Sequence, residues 1–195
     1  MSVGFVLTVD PVFHAREVRR FEAKIVRGPG SSCWIWAGAV GDDGYGSFSI
    51  RRPRVDWRGV PMAHPVTGRP LLREHVVSAP RYALAAALGV VMGEAETAEH
   101  VVCDEPICVR AHDGRVDGGI GHLSVSTQAD NLRTMGLRGR GGGTPRRWQS
   151  RGPDRAARAA RSRALRDVVK VHGWHPERMA EAVAALSGPE QARLF

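Results

Sequence analysis

The sequence predicts an α+β fold with a β-hairpin near its N-terminal end and a basic helical extension at its C-terminal end. Three observations predict it. Two apolar segments flank the turn-forming residues at 42–44. Residues 98–136 follow the pattern of a strand, a long loop, a second strand and a helix. Residues 153–195 are rich in alanine and arginine, as many helices are.

The N-terminal elements are a helix and the hairpin. We predict a helix from Asp10-Pro11, because proline is favoured in the first helical turn, and Ile25 lies at helical spacing near its end. The glycines and proline at 28–30 end this helix. The hairpin strands are then predicted at 33–40 and 45–51. Four apolar side chains are expected to pack on one face of the hairpin: Trp34, Trp36, Phe48 and Ile50.

The middle of the chain is predicted to hold loops, a strand and a helix. Residues 52–70 are rich in proline, glycine and arginine and predict loops around a short strand at 55–60. A further strand is predicted at 71–77. A helix is then predicted from Pro80 to about residue 91.

The segment from 98 to 136 carries most of the residues with metal and acid-base chemistry. We predict strands at 98–103 and 122–126, joined by a glycine-rich loop at 109–121. Thr127 is a favourable N-cap, and an acidic residue three positions later resembles a capping box. Asn131 is therefore expected in the first turns of a helix that ends near residue 136.

The C-terminal part changes in composition. Residues 137–152 combine arginine with glycine and predict a flexible basic linker. Helices are predicted at 153–171 and 176–186 as a separate arm. The expected organisation is therefore a domain at 1–136, the linker, and an arm at 153–195 that contacts DNA or a second copy of the chain.

Composition limits the class of protein. The net charge of +8 comes almost wholly from arginine, since lysine occurs only at Lys24 and Lys170. Nucleic acid is the commonest partner of such a chain, although a GC-rich genome also favours arginine over lysine. The longest apolar run, at 82–92, is too short to span a bilayer. The N-terminus lacks a signal-peptide pattern, so we expect a cytoplasmic protein without a membrane partner.

Cysteine spacing predicts a metal site. An odd number of cysteines in a cytoplasmic chain favours metal ligation or free thiols over disulfides. Four residues separate Cys103 from Cys108, and this spacing lets two thiolates bind one tetrahedral zinc ion. Either His112 or His122 can add a nitrogen, and Cys33 is available as a fourth ligand.

A series of motifs in this order resembles the HNH endonucleases of phages and introns, and especially their His-Cys box relatives. The resemblance covers roughly residues 20–135 and implies a ββα-metal (His-Me finger) nuclease core of phage or mobile-element type. The motifs are Cys33-Trp34-Ile35-Trp36-Ala37-Gly38, Gly44-Tyr45-Gly46-Ser47-Phe48, Pro80-Arg81-Tyr82-Ala83, His100-x2-Cys103-x4-Cys108 and His122-Leu123-x7-Asn131.

The resemblance implies a role for each matching residue. His100 is the expected general base, Asn131 the expected ligand of one catalytic Mg²⁺ ion, and Arg81 an expected phosphate contact. Glu99 is a candidate second Mg²⁺ ligand, although neighbouring residues of a strand point to opposite faces. The structural zinc ligands implied are Cys33, Cys103, Cys108 and His122.

The chain departs from the family pattern in three places. One extra residue separates His100 from Cys103, and a bulge can absorb it or His100 can be turned away. Arg110-Ala111 stands where the family has Asn-Pro. The loop before His122 is longer than usual and contains His112 as a competing ligand; the retained spacing to Asn131 favours His122.

The expected function is Mg²⁺-dependent hydrolysis of phosphodiester bonds in double-stranded DNA by a zinc-stabilised, homing-type endonuclease. A homodimer is expected for double-strand cleavage in the bacterial or phage-infected cell. Two alternatives stay open: a non-catalytic zinc-containing DNA-binding protein derived from a nuclease, and a protein-interaction module. The expected DNA contacts in the linker are Arg138, Arg140, Arg146, Arg147 and Arg151.

Overall fold

The computed structural model describes residues 5–111, 121–137 and 151–186 and has a mixed α+β architecture. This confirms the predicted class. The helices are α1 (Ala15–Glu22), α2 (Ala79–Leu88), α3 (Gln128–Leu137), α4 (Arg151–His172) and α5 (Pro176–Ala184). The strands are β1 (Ile25–Arg27), β2 (Trp34–Trp36), β3 (Ala39–Val40), β4 (Gly46–Pro53), β5 (Leu72–Ser78), β6 (Glu96–His100) and β7 (Leu123–Thr127). They form three small antiparallel sheets within the described residues: β1-β2, β3-β4-β5 and β6-β7.

Helix α1 is shorter than predicted at both ends. The Asp10 carboxylate accepts hydrogen bonds from the backbone N–H groups of Val12 and Phe13, at 2.8 and 3.0 Å, and so stabilises a turn before the helix. At the other end, Ile25 lies in strand β1 and pairs with Trp36 of β2. The prediction that Ile25 belongs to the helix is wrong, because pairing with β2 favours the extended conformation of this β-branched residue.

The predicted hairpin is present, but its first strand is divided. β3 pairs with β4 through Ala39 opposite Ser47, whereas β2 joins the separate β1-β2 sheet. The chain leaves β2 at Gly38, which lies against the Trp36 indole: a Cβ on Gly38 would stand 2.3 Å from that ring. Only glycine leaves room for this close approach.

The β4-β5 pair confirms the predicted strand at 71–77, but the connecting segment differs from prediction. The pair extends from Ser47 opposite Ser78 to Pro53 opposite Leu72. Residues 55–60 form a turn instead of the predicted strand. The Asp56 carboxylate accepts the N–H groups of residues 58 and 60, which closes the turn, and Val55 and Pro61 on either side of it form an isolated antiparallel bridge.

An aromatic cluster joins α1, the sheets and α2 in one core. Phe21, Trp36, Phe48 and Tyr82 are buried, and their contacting ring centroids lie 4.4–5.7 Å apart. Each such pair contributes about 0.5–1.5 kcal/mol beyond burial. α2 ends at Leu88, three residues before the predicted end. Gly89 has a φ of 64°, the left-handed conformation that commonly ends helices.

Helix α4 packs on this core through a buried stripe. Ala159, Leu165 and Val169 are at most 5 % exposed, and the helix contacts β2 and β3. The composition predicts a separate arm, whereas this part of α4 shares the core of the rest of the protein. The domain limits at 136 and 153 stay predictions. Among the described helices, none combines the length and apolar character needed to cross a membrane.

The turn between β3 and β4 holds α4 at close range. Gly44 has a φ of 87°, and a Cβ there would lie 2.9 Å from Arg158 Cγ and 3.1 Å from the backbone nitrogen of Ala159. Glycine is therefore needed both for the turn and for the approach of the helix. Arginines on α4 bind the turn in three pairs: Arg155 with Asp42, Arg158 with Asp43 and Arg163 with Gly41.

Candidate metal centre and adjoining cleft

β6, β7 and α3 form a strand, strand and helix in the predicted order. β6 and β7 pair from Glu96 opposite Thr127 to His100 opposite Leu123, and α3 packs on both strands. The Thr127 hydroxyl accepts the backbone N–H of Asp130 at 3.1 Å and donates to its carboxylate at 2.8 Å. The predicted N-cap at Thr127 is confirmed.

Four potential metal ligands meet beside this unit. The ligand atoms of Cys33, Cys103, Cys108 and His122 all lie within 4.8 Å of one another. We call these residues the metal cluster. They are the four that the family resemblance implies, and they come from four places: before β2, after β6, next to β2, and before β7. The cluster therefore connects distant segments of the chain.

The geometry of the metal cluster fits a tetrahedral ion. His122 Nδ1 lies 3.5 Å from Cys33 Sγ and 3.6 Å from Cys108 Sγ. Zinc bonds of about 2.3 Å to sulfur and about 2.0 Å to nitrogen give sulfur-to-nitrogen separations of about 3.5 Å in a tetrahedral site. His122 Nε2 lies 2.8 Å from the carbonyl oxygen of Ser31, to which it can donate. That bond directs Nδ1 to the metal, so the cluster could bind an ion such as zinc.

The three thiols of the metal cluster differ in pKa. Hydrogen bonds from the thiols of Cys108 and Cys33 lower the pKa of Cys103. The hydrogen bond with Cys103 raises the pKa of Cys108, and burial raises it further. The hydrogen bond with Cys103 also raises the pKa of Cys33. Ionisation of the thiols of Cys33 and Cys108 beside Cys103 is therefore disfavoured. A divalent cation compensates the repulsion between thiolates and favours all three in the ionised form.

A buried arginine holds the N-terminal side of the metal cluster. Arg110 is 1 % exposed, lies over the Trp34 ring, and donates to the carbonyl oxygens of Gly30 and Ser32 at 2.6 and 2.7 Å. Its own carbonyl accepts the N–H of His122 at 2.8 Å. Arg110 occupies a position where the resembled family has asparagine. In this chain it connects the segment before Cys33 to the segment before His122.

A cleft of about 620 Å³ opens beside the metal cluster. α2, β6, α3 and α4 surround it together with the turn before β4, the loop after β6 and the end of β5. The lining includes four residues that the sequence predicts to be functional: Arg81, Glu99, His100 and Asn131. Glu99 and His100 therefore contribute to one cavity although they are neighbours on β6.

The extra residue between His100 and Cys103 lies outside the strand pair. β6 and β7 pair one to one up to His100, without a bulge, and the exposed residues 101–102 form a bend after the strand. His100 remains at the cleft, and its Nδ1 lies 3.7 Å from Cys103 Sγ. His100 is therefore in contact with both the cleft and the metal cluster.

Arg81 has a structural contact as well as a place in the cleft. Its Nη2 donates to the carbonyl oxygens of Gly93, at 2.5 Å, and Met92, at 3.4 Å. Partial burial lowers the pKa of the guanidinium, and the nearby Glu96 carboxylate opposes this effect. Arg81 thus holds the segment that leads into β6.

Among the cleft residues without a role predicted from the sequence, Tyr45 and Arg158 connect to His100 through a chain of ring contacts. The Tyr45 ring lies 6.4 Å from the His100 ring, and the Arg158 guanidinium lies 5.7 Å from the centre of the Tyr45 ring. Both line the cleft. Tyr45 is part of a quoted motif, but Arg158 carries no local pattern that separates it from the other arginines of α4.

Several predicted residues lie outside the part of the chain whose side chains are described. They include the competing ligand and the linker arginines: His112, Arg138, Arg140, Arg146, Arg147 and Arg151. Their predicted roles stay predictions.

Comparison of the chain with models of protein families, with curated proteins and with solved structures finds no match.

Proposed function

We propose that this protein is a Mg²⁺-dependent DNA endonuclease whose fold is stabilised by zinc. The observation that carries the proposal is the cleft, in which Glu99, His100 and Asn131 line one cavity beside the metal cluster. A potential proton acceptor and two potential oxygen ligands for a hard cation therefore share one cavity. Metal-assisted hydrolysis of a phosphodiester needs this combination.

The metal cluster is proposed as a structural zinc site. Cys33, Cys103, Cys108 and His122 would supply four protein ligands, which leaves no coordination position for a substrate. Its role would be to fix the segment after β6 against β2 and β7. This places the chemistry in the cleft and not at the zinc ion.

His100 is the proposed general base. Imidazole exchanges protons near neutral pH, so it can accept a proton from the attacking water. The bend after β6 leaves His100 at the cleft, and the contact between its Nδ1 and Cys103 Sγ holds the ring at the edge of the metal cluster. The proton of the water would move to the imidazole as the oxygen attacks phosphorus.

Asn131 and Glu99 are the proposed ligands of the catalytic ion. Mg²⁺ prefers amide and carboxylate oxygens and retains several waters. When bound, the ion would stabilise the negative charge that develops on the phosphate and on the leaving oxygen. Charge in the cleft supports a cation: three carboxylates line it, those of Asp43, Glu99 and Asp104, against the two guanidinium groups of Arg81 and Arg158.

Exposed arginines support nucleic acid as the partner. The segment 54–71 extends from the β4-β5 pair and has few buried side chains. Guanidinium groups on such a surface can contact DNA phosphates. The exposed arginines on this segment and the adjoining strands are Arg51, Arg54, Arg58, Arg69 and Arg73. One cleft cuts one strand at a time, so double-strand cleavage would favour a homodimer.

Plasmid cleavage tests the proposal. Wild-type protein should convert supercoiled DNA to nicked or linear forms only with added Mg²⁺. His100→Ala should lower the rate by about a hundredfold or more, since general-base catalysis contributes about 10²–10⁴-fold. His172→Ala is a suitable control, because His172 is an exposed histidine on α4 that does not line the cleft. No metal-dependent cleavage, or equal cleavage by His100→Ala, would refute the proposal.

One contact favours a second candidate, a non-catalytic zinc-containing DNA-binding protein. His100 Nδ1 lies 3.7 Å from Cys103 Sγ, so the role of His100 can be a structural contact with the metal cluster without any part in catalysis. This candidate predicts salt-sensitive DNA binding without cleavage at any Mg²⁺ concentration. The plasmid assay separates the two.

A further inference from the structure

The turn before β4 fixes one arginine of α4 at the cleft. Arg158 Nε donates to the carbonyl oxygen of Asp43 at 2.7 Å, and Gly44 lies directly against the backbone of α4 at this point. Arg163 makes a comparable bond, 3.1 Å from its Nη2 to the carbonyl oxygen of Gly41. Of these two arginines only Arg158 lines the cleft.

Tyr45 supports the guanidinium of Arg158 on the side of His100. The guanidinium carbon lies 5.7 Å from the centre of the Tyr45 ring, a distance at which a cation and an aromatic ring attract each other. The same ring lies 6.4 Å from the His100 ring. Arg158 is half-buried, and among the described residues no carboxylate forms an ion pair with it.

The two arginines of the cleft differ in what they already bind. Arg81 donates through Nη2 to two backbone carbonyls, whereas Arg158 is held through its Nε. A guanidinium held at Nε keeps its two terminal nitrogens as phosphate donors. We infer that Arg158 of α4 binds a phosphate of the nucleic-acid strand in the cleft, and that Tyr45 positions its guanidinium.

This inference rests on the proposed function for its substrate class, the phosphodiester backbone, and it gives α4 a part in the site. The charge of the cleft indicates how strongly loss of Arg158 should weaken phosphate binding. With Arg158 removed, the three carboxylates of the lining face only Arg81. The cleft then repels a phosphate more strongly, so both binding and cleavage should weaken.

The test compares Arg158→Gln with Arg163→Gln. Both variants lose one positive charge and one bond-forming guanidinium next to the turn. At position 158 the glutamine amide nitrogen takes the place of Nε and can still donate to the Asp43 carbonyl, whereas Arg163 donates to Gly41 through its Nη2, which glutamine lacks, so the control loses at least as many contacts with the turn. Binding of a DNA duplex is measured by fluorescence anisotropy without added Mg²⁺ over a series of salt concentrations. Arg158→Gln should reduce the magnitude of the slope of log K against log salt by about 0.9, the value for one phosphate contact, and Arg163→Gln by less than half of that.

Cleavage gives the second readout. With Mg²⁺, Arg158→Gln should lower kcat/KM at least tenfold, and Arg163→Gln less than twofold. Tyr45→Ala should lower affinity severalfold, and Tyr45→Phe should restore it because the ring is kept. Zinc content and melting temperature, measured for every variant, identify folding defects. If Arg158→Gln is destabilised, Arg158→Lys, which retains the charge, must keep the wild-type slope.

The outcomes separate this inference from the proposed function. Equal slopes and equal kcat/KM for the two glutamine variants overturn the role of Arg158, whether or not the wild type cleaves DNA. A reduced slope for Arg158→Gln together with no cleavage by the wild type rejects the nuclease and retains the phosphate contact.

Discussion

The metal cluster and the cleft share residues of the same loop but are built differently. The cluster is closed: Cys108 and His122 are buried, and the four ligand atoms lie within 4.8 Å of one another. The cleft is open and carries both charged side chains and apolar surface, and its walls come from α2, α3, α4, β6, the end of β5, the loop after β6 and the turn before β4. A closed set of ligands is suited to holding a fold, whereas an open set is suited to admitting a substrate. Perturbing each region should therefore have different effects.

The largest effect is expected in the metal cluster. Cys103→Ser should abolish stoichiometric zinc binding and unfold or strongly destabilise the protein, because binding of structural zinc contributes about 10–16 kcal/mol in zinc-finger peptides at neutral pH. Metal analysis and thermal unfolding measure both. Ser31→Ala is a control, since its carbonyl, which His122 contacts, is kept. If Cys33→Ser retains full zinc, Cys33 is not a ligand and His112 becomes the candidate for the fourth position.

A variant in the cleft should separate activity from stability. Asn131→Ala should lower Mg²⁺-dependent cleavage by about a hundredfold or more, because a lost metal ligand removes charge stabilisation of several kcal/mol. Zinc content and melting temperature should remain close to wild type. Gln128→Ala, which also lines the cleft on α3, should change cleavage little. Loss of zinc in Asn131→Ala would contradict the division between the two regions.

Arg110 should stabilise the protein on the N-terminal side of the metal cluster. Arg110→Ala should lower the free energy of unfolding by about 3 kcal/mol, since it removes a buried guanidinium that makes two charge-assisted hydrogen bonds to backbone carbonyl groups. Arg27→Ala is the matched control: Arg27 also lies over the Trp34 ring but pairs with Glu22 at the surface. Surface ion pairs contribute about 0–1 kcal/mol. Chemical denaturation measures the free energy of unfolding of both variants. Equal losses would show that Arg110 stabilises the fold no more than a surface arginine does.

The smallest effect concerns the docking of α4 beside the cleft. The Arg155 guanidinium hydrogen-bonds the Asp42 carboxylate and lowers its pKa. The stabilisation is therefore complete above the ordinary pKa near 3.8 and is lost as the pH falls through the lowered value. Asp42→Asn should be slightly less stable than wild type at neutral pH, and the difference should vanish in acid. A constant difference in urea denaturation across this range would contradict the role of the ion pair.

Spacing predicted part of the metal cluster, namely two cysteines and one of two histidines, whereas the complete set of four ligands and the predicted residues of the cleft followed only from the family resemblance. Cys103, Cys108 and His122 lie close in sequence, and a tetrahedral ion imposes a specific distance on its ligands. The N-cap at Thr127 was predictable for the same reason, since capping acts between residues three positions apart. Contacts between residues that are close in sequence can therefore be predicted from the sequence.

The failures occurred where a distant segment decides the structure. Ile25 fits helical spacing, but pairing with Trp36 of β2 draws it into a strand. In sequence, Arg158 cannot be distinguished from the other arginines of α4. It lies at the cleft because the turn at Gly44 contacts α4 at this point. No local pattern carries these contacts.

The central claim is that the two regions bind different metals for different purposes. The most direct measurement is cleavage of a supercoiled plasmid by zinc-loaded protein as the Mg²⁺ concentration is raised, with zinc content determined at each point. The account predicts that cleavage rises and saturates with Mg²⁺ while zinc stays at about one ion per chain. Cleavage that is absent at every Mg²⁺ concentration, or that follows zinc occupancy instead, would contradict it.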